Sequence, residues 1–308
     1  MFAIGLHIAG ARRGGPWWPE GAVRAADFVN GRNMADGVEV PFAEAFAFSR
    51  ETPGLMAVGA GQWITHDAGV LRRHAGLGAL LEPATSNQSR GTADIGGPGW
   101  TPPAGLTRSG NATDGFVFTV GQSQVDLLRL EQYGYIDIPA HEPGFFAFDL
   151  HDSGMRGAAI WFSDVGYRAD FSTDTGIANG TGENDVASMA ALGGGWWRCR
   201  VRHRHTAVTQ AWRIKLGSSR FDTSYQAGDF IRVRLPQVEL GRFTTPVVNT
   251  SITQSTMRAA DRLAATGGAS LDVTVYFAGG ASQNFPQLSG PLPAEELLNP
   301  LVTRAFWS

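Results

Sequence analysis

Trp197-Arg-Cys-Arg-Val-Arg-His-Arg-His205 alternates bulky apolar and basic residues with a period of two. In an extended strand, successive side chains point to opposite faces. Trp197, Cys199 and Val201 therefore share one face, and Arg198, Arg200, Arg202 and Arg204 share the other. The rhythm returns twice downstream. Trp212, Ile214 and Leu216 oppose Arg213 and Lys215, and Ile231, Val233 and Leu235 oppose Arg232 and Arg234. A helix would need a period near 3.6, so the stretch predicts half-buried β-strands. The short gap between the first two runs predicts a hairpin whose basic faces are neighbours.

Further apolar or alternating runs occur at 116–120, 132–138, 144–150, 158–163 and 271–277, broken by Gly, Pro, Asn and Asp. Short strands at this spacing predict an all-β sandwich or barrel. Helical signals are confined to single turns at Ala43 to Phe48 and at Glu295 to Leu298 after Pro293. Composition divides the chain into three segments. Residues 1–82 are rich in Gly, Trp and Arg and carry Pro16-Trp17-Trp18-Pro19. Residues 83–262 hold the regular strand series, and residues 263–308 give one clear strand and a Pro-punctuated tail.

The 308 residues suffice for a sizeable core, and 40 Gly with 17% charged residues suit many strands joined by turns. A net charge of −3 argues against a general nucleic-acid binder or a membrane-surface protein. The single cysteine, Cys199, excludes an internal disulfide and a thiolate metal cage. The apolar start, Met1 to Ile8, lacks a basic lead-in and predicts a strand, hence synthesis in the bacterial cytoplasm and release by lysis.

Several blocks resemble one family. Asp27-Phe-Val-Asn-Gly-Arg32, Val40-Pro-Phe42, Phe46-Ala-Phe-Ser-Arg50, Gly78-Ala-Leu-Leu-Glu-Pro-Ala-Thr-Ser-Asn87, Gly195-Trp-Trp-Arg-Cys199, Gln237-Val-Glu-Leu-Gly241 and Met257-Arg-Ala-Ala-Asp261 occur in order. Together they resemble phage tail-fibre and head-spike proteins, including those of gene transfer agents. The resemblance implies a jelly-roll β-sandwich similar to carbohydrate-binding modules and concanavalin-like lectins. It further implies a homo-oligomer, a trimer first, on the surface of a virion or phage-like particle. Thr52 to His66 departs from the Ala-Thr-Tyr pattern common in such proteins, and the early stop after Asp261 favours a short spike over a long fibre.

On that resemblance, residues 1–82 anchor the chain to capsid or tail proteins, with Trp17 and Trp18 as interface residues. Residues 83–262 meet a cell-surface polysaccharide, an anionic capsule being the candidate suggested by the basic strands. Between Trp196 and Leu235 nine basic residues face only Asp222 and Asp229. Such a cluster needs either an anionic partner or neutralising carboxylates, for which Asp149, Asp152, Asp170 and Glu239 are candidates. Sugar binding also needs aromatic platforms. The expected carbohydrate-binding residues are Arg200, Arg202, Arg213, Lys215, Trp161 and Tyr167, with Tyr133, Tyr135 and Tyr225 as further aromatic candidates. Trp196 and Trp197 read as core.

His203 and His205 share a strand face but have no evident third metal ligand, and Asp149-Leu-His-Asp152 reads as an Asx turn before a calcium site. Asn111-Ala-Thr and Asn179-Gly-Thr read as loops. No nucleophile elbow, phosphate loop or His-Glu-x-x-His is present, and Asp170 with Asp174 or Glu183 with Asp185 are carboxylates without a defined separation. The expectation is thus a binding protein without catalytic residues, cofactor or metal. The alternatives are a structural spike base or tail adaptor contacting another particle protein, and a polysaccharide depolymerase.

Overall fold

The computed structural model describes residues 16–74, 76–89, 91–101, 105–121, 129–138, 143–155, 157–162, 167–180, 186–204, 210–218, 226–240, 245–246 and 255–308. Among them the only helix is the four-residue turn Phe42–Ala45; everything else regular is β. Pro41 precedes that turn and Phe46 continues as strand. Residues 294–296 form a turn and no helix. All eight runs read as strands from their alternation are strands.

The chain divides into two compact units, one of residues 1–50, 69–83 and 260–308, the other of 51–68 and 84–259. The two terminal segments thus belong to a single unit, and residues 51–68 belong with the central strands. In the first unit Leu301–Trp307 lies between Leu271–Phe277 and Arg24–Asp27 in an eight-stranded sheet. Phe46, Val273, Val275, Val302 and Trp307 form the core on one face, and Phe306, Met34 and Ala25 pack with Trp17 and Trp18 on the other. Blocks that carry the family resemblance supply Arg50, Glu82 and Asp261 of its buried charges, and Arg72 comes from outside them. Asp261 takes Arg50 at 3.0 Å and also Arg72, and Arg72 reaches Glu82 at 2.7 Å.

The second unit is a sandwich of two antiparallel sheets. In order across the first are Leu106–Asn111, Gly115–Val120, Phe230–Leu240, Pro143–His151, Trp196–Arg204 and Val186–Gly193. The other runs Arg129–Ile138, Gln210–Ser218, Gly157–Phe162, Tyr167–Ser172 and Ile177–Gly180. Phe116, Phe118, Phe146, Phe148, Cys199, Val201, Ile231 and Val233 from the first sheet meet Ala158, Ala169 and Phe171 from the second in one core. The apolar sides expected for Cys199, Val201, Ile231 and Val233 are therefore right.

Leu235 departs from that pattern. Ala147 pairs with Gln237 while Asp149 pairs with Arg234, so Leu235 and Pro236 together oppose Phe148 in a β-bulge. Leu235 adopts φ 49° there, and Val238 takes the next core position. Asn87 stabilises the bulge: its amide donates to Pro236 O at 3.3 Å, and its Oδ1 accepts from Val238 N at 3.0 Å.

Candidate functional site

Asp149 lies at the centre of the six-stranded sheet, with Arg198 beside it on one neighbouring strand and Arg234 on the other. Its Oδ1 accepts from Arg198 Nη1 at 3.0 Å and its Oδ2 from Arg234 Nε at 3.0 Å. Trp63 Nε1 donates to the same Oδ2 at 2.7 Å. Arg198 also reaches Leu235 O at 3.0 Å and the Gln237 side chain. Asp149, Arg198 and Arg234 are all buried.

This corrects the expectation of a solvent-facing arginine row. The outward face carries a second layer, the antiparallel pair Gly54–Ala57 and Trp63–His66, which packs Trp63 against Arg198 and Asp149. Under it the first of the suggested carboxylates, Asp149, neutralises two arginines. Arg200 is half-buried and Arg202 exposed.

The second correction concerns the hairpin. Gln210–Ser218 pairs with Arg129–Ile138 and Gly157–Phe162 in the five-stranded sheet, whereas Trp196–Arg204 belongs to the six-stranded one. The chain crosses between sheets where a turn back was expected. Arg213 and Lys215 therefore lie in a different sheet from Arg200 and Arg202, as do Trp161 and Tyr167. For these four residues the described structure is strand register alone. Trp161 is paired with Lys215 and Arg168, and Tyr167 with Phe162. Tyr133 and Tyr135 lie on the neighbouring strand Arg129–Ile138. Tyr225, His205, Glu183 and Asp185 lie outside the described residues.

What the structure brings together is a cleft of ≈ 490 Å³ between this second layer and the sheet, lined by Trp63, Gln62, Asp114, Trp196, Arg232 and Arg234 among others. Trp196 is the third correction. It is absent from the sandwich core and lies on the cleft side, whereas its neighbour Trp197 packs against the core. The indole fits because two glycines yield space. A Cβ on Gly61 would sit 2.3 Å from Trp196 Cδ1, and one on Gly115 would sit 2.5 Å from Cη2. Both glycines also have positive φ, 71° and 91°, which other residues rarely adopt.

Above the ring, Arg234 lies 3.9 Å and Arg232 5.3 Å from a ring centroid, close enough for cation–π attraction. Arg234 is fully engaged, reaching Asp149, Thr113 O at 2.9 Å and Gly61 O. Among the described residues Arg232 donates only its Nε, to Asp114 O at 2.7 Å. Asp114 closes a turn in which Asn111 Oδ1 accepts from both Thr113 N and Asp114 N, so the first glycosylation-like triplet is a hairpin turn at the cleft rim.

Two titrating groups flank this region. His151 packs edge-on against Trp196 at 4.9 Å, and burial followed by the positive charge of Arg232 holds its imidazole below the usual histidine range. Burial pushes the Cys199 thiol well above the ordinary cysteine range. Both Asp149 oxygens accept hydrogen bonds from protein donors, two of them from guanidiniums. Asp170 is buried and Asp174 is exposed.

Sequence reasoning placed Arg232 and Arg234 outward but missed their partner layer. Gly59-Ala-Gly61 signals the turn, yet nothing local says which face it covers. No family model matches the chain, and no curated protein matches it.

Proposed function

We propose that the chain is a non-catalytic glycan-binding protein whose binding site is the cleft between the 54–66 strand pair and the six-stranded sheet. The supporting observation is the combination in one open cleft of half-buried Trp63, with the buried Trp196 ring behind it, and Arg232, Asp114, Gln62 and Thr65. A pyranose presents an apolar C–H face and a hydroxyl rim, and a few placed polar groups beside aromatic surface suit both. The cleft size lies within the range of small-ligand sites, enough for one or two sugar rings. Pairing between strands distant in the chain, such as Phe230–Leu240 between Gly115–Val120 and Pro143–His151, supports the jelly-roll reading of the sandwich without being peculiar to it.

The setting proposed for this activity is the surface of a phage-like particle, attached to cell-surface polysaccharide. It rests on the sequence blocks quoted above. Repeated copies on one particle would convert weak single contacts into avidity. The test is a glycan array and capsule pull-down with the full chain. Retention that is lost in Trp63→Ala supports the reading; no retention on any glycan refutes it.

A second reading, a structural adaptor, draws on a different observation. Met257 is 68% exposed beside an apolar depression lined by Pro53, Leu55 and Pro246, a surface suited to a protein partner. Loss of particle incorporation in Met257→Asp with unchanged glycan retention would favour it.

A further inference from the structure

Three arginines cluster around the cleft floor, and their hydrogen bonds differ. Arg198 and Arg234 are buried and share Asp149. Arg232 is half-buried at the rim, and its guanidinium is held by two contacts: the Trp196 ring lies 5.3 Å from it and Asp114 O accepts from Nε. Its two terminal nitrogens make no hydrogen bond or ion pair among the described residues. Asp114, whose backbone takes the Nε, directs Oδ2 to the Asn111 amide at 2.9 Å, so its charge is not spent on the Arg232 fork. A guanidinium stacked and tethered in this way presents Nη1 and Nη2 as a pre-oriented pair of donors. That geometry matches the two oxygens of a planar carboxylate.

We infer that the sugar bound in the cleft carries a carboxylate, as a uronic acid does, and that Arg232 is the residue that reads it. The inference rests on the glycan-binding reading and adds the ligand's charge and its recognition residue. The carboxylate lies in the plane of the guanidinium, while the ring C–H face meets Trp63 and the ring hydroxyls meet Asp114 and Gln62. Arg202, the exposed arginine of the sequence motif, takes no part. It lies six residues from Trp196 along one strand, roughly 20 Å away at the usual rise per residue.

The test uses the full chain and oligosaccharides of galacturonate, glucuronate and mannuronate, each paired with its carboxyl-reduced neutral form. Calorimetric titration should give binding to at least one uronate and a tenfold or greater loss on reduction of its carboxyl. Arg232→Ala should lose the same factor for the uronate and nothing for the neutral form. Arg232→Lys should recover only part, because an ammonium lacks the fork. Arg202→Ala should bind as wild type. Circular dichroism and the melting transition show that each variant is folded. Equal affinity for acid and neutral forms, or equal losses for both in Arg232→Ala, overturns the inference while leaving glycan binding intact. Binding of neither form by the folded wild type overturns both.

Discussion

Replacing Asp149 by Ala should be the most damaging single change in the sandwich. The carboxylate is fully buried and holds Arg198, Arg234 and the Trp63 indole. Its removal leaves two buried guanidiniums facing each other across the central strand. Breaking a buried pair by deleting one partner costs about 3–5 kcal/mol, since the remaining charge stays desolvated. For a unit of this size each kcal/mol lowers the melting temperature by about 2–4 °C, so the sandwich transition should fall by roughly 6–20 °C. Urea titration followed by tryptophan fluorescence measures the change directly. Arg198→Met in the Asp149→Ala background should restore part of the loss by removing one stranded charge. A loss below about 1 kcal/mol, or no recovery in the double variant, would mean that water already reaches these arginines and that the ion cluster is not the joint between sheet and covering strands.

Gly61→Ala should deform the cleft, because its methyl group would overlap the Trp196 ring and sit 2.7 Å from Gly193 O. Glycan retention should drop by an order of magnitude or more, with an altered Trp196 environment in near-ultraviolet circular dichroism. Cys199 is buried in the core with its thiol pushed upward, so it should resist a thiol-specific reagent at pH 8 in the folded protein and react at once in urea. Rapid reaction in native buffer would contradict the core placement. The imidazole of His151 is depressed in the folded state relative to the unfolded chain. The unfolded state therefore takes up its proton first as pH falls, and stability should decline below the ordinary histidine range of about 6.5. His151→Phe should flatten that decline; an unchanged profile would remove His151 as its source.

The fold was legible where side-chain parity is strict. Cys199 and Val201 face the core as their alternation requires, since a one-residue slip would have buried Arg198 and Arg200 among Phe146 and Phe148. Parity also placed Trp196 with the arginines, yet the Gly195-Trp-Trp-Arg198 block, core-like by the family resemblance, made both tryptophans read as core. Parity was the better guide. Leu235 was lost to the bulge, for which Pro236 within a strand is the one local mark. The expected hairpin failed because a short connection looks the same in sequence whether the chain returns within a sheet or crosses to the other one. The covering strands at 54–66 were illegible for another reason. Their partners Asp149 and Arg234 lie 86 and 173 residues away along the chain, measured from Trp63 and Gly61, and no local pattern encodes so distant a docking.

The aromatic lining of the cleft offers the most direct trial of the account. Nitrogen-15 spectra resolve each indole N–H, and the residues named here divide cleanly: Trp63 and Trp196 line the cleft, whereas Trp100 lies in the sandwich core and Trp307 in the core of the other unit. Titration with the best-retained oligosaccharide should shift the Trp63 and Trp196 signals in a saturable manner and leave Trp100 and Trp307 in place. Saturable shifts confined to other tryptophans, Trp161 above all, would put the sugar on the opposite sheet and contradict the cleft as the binding site.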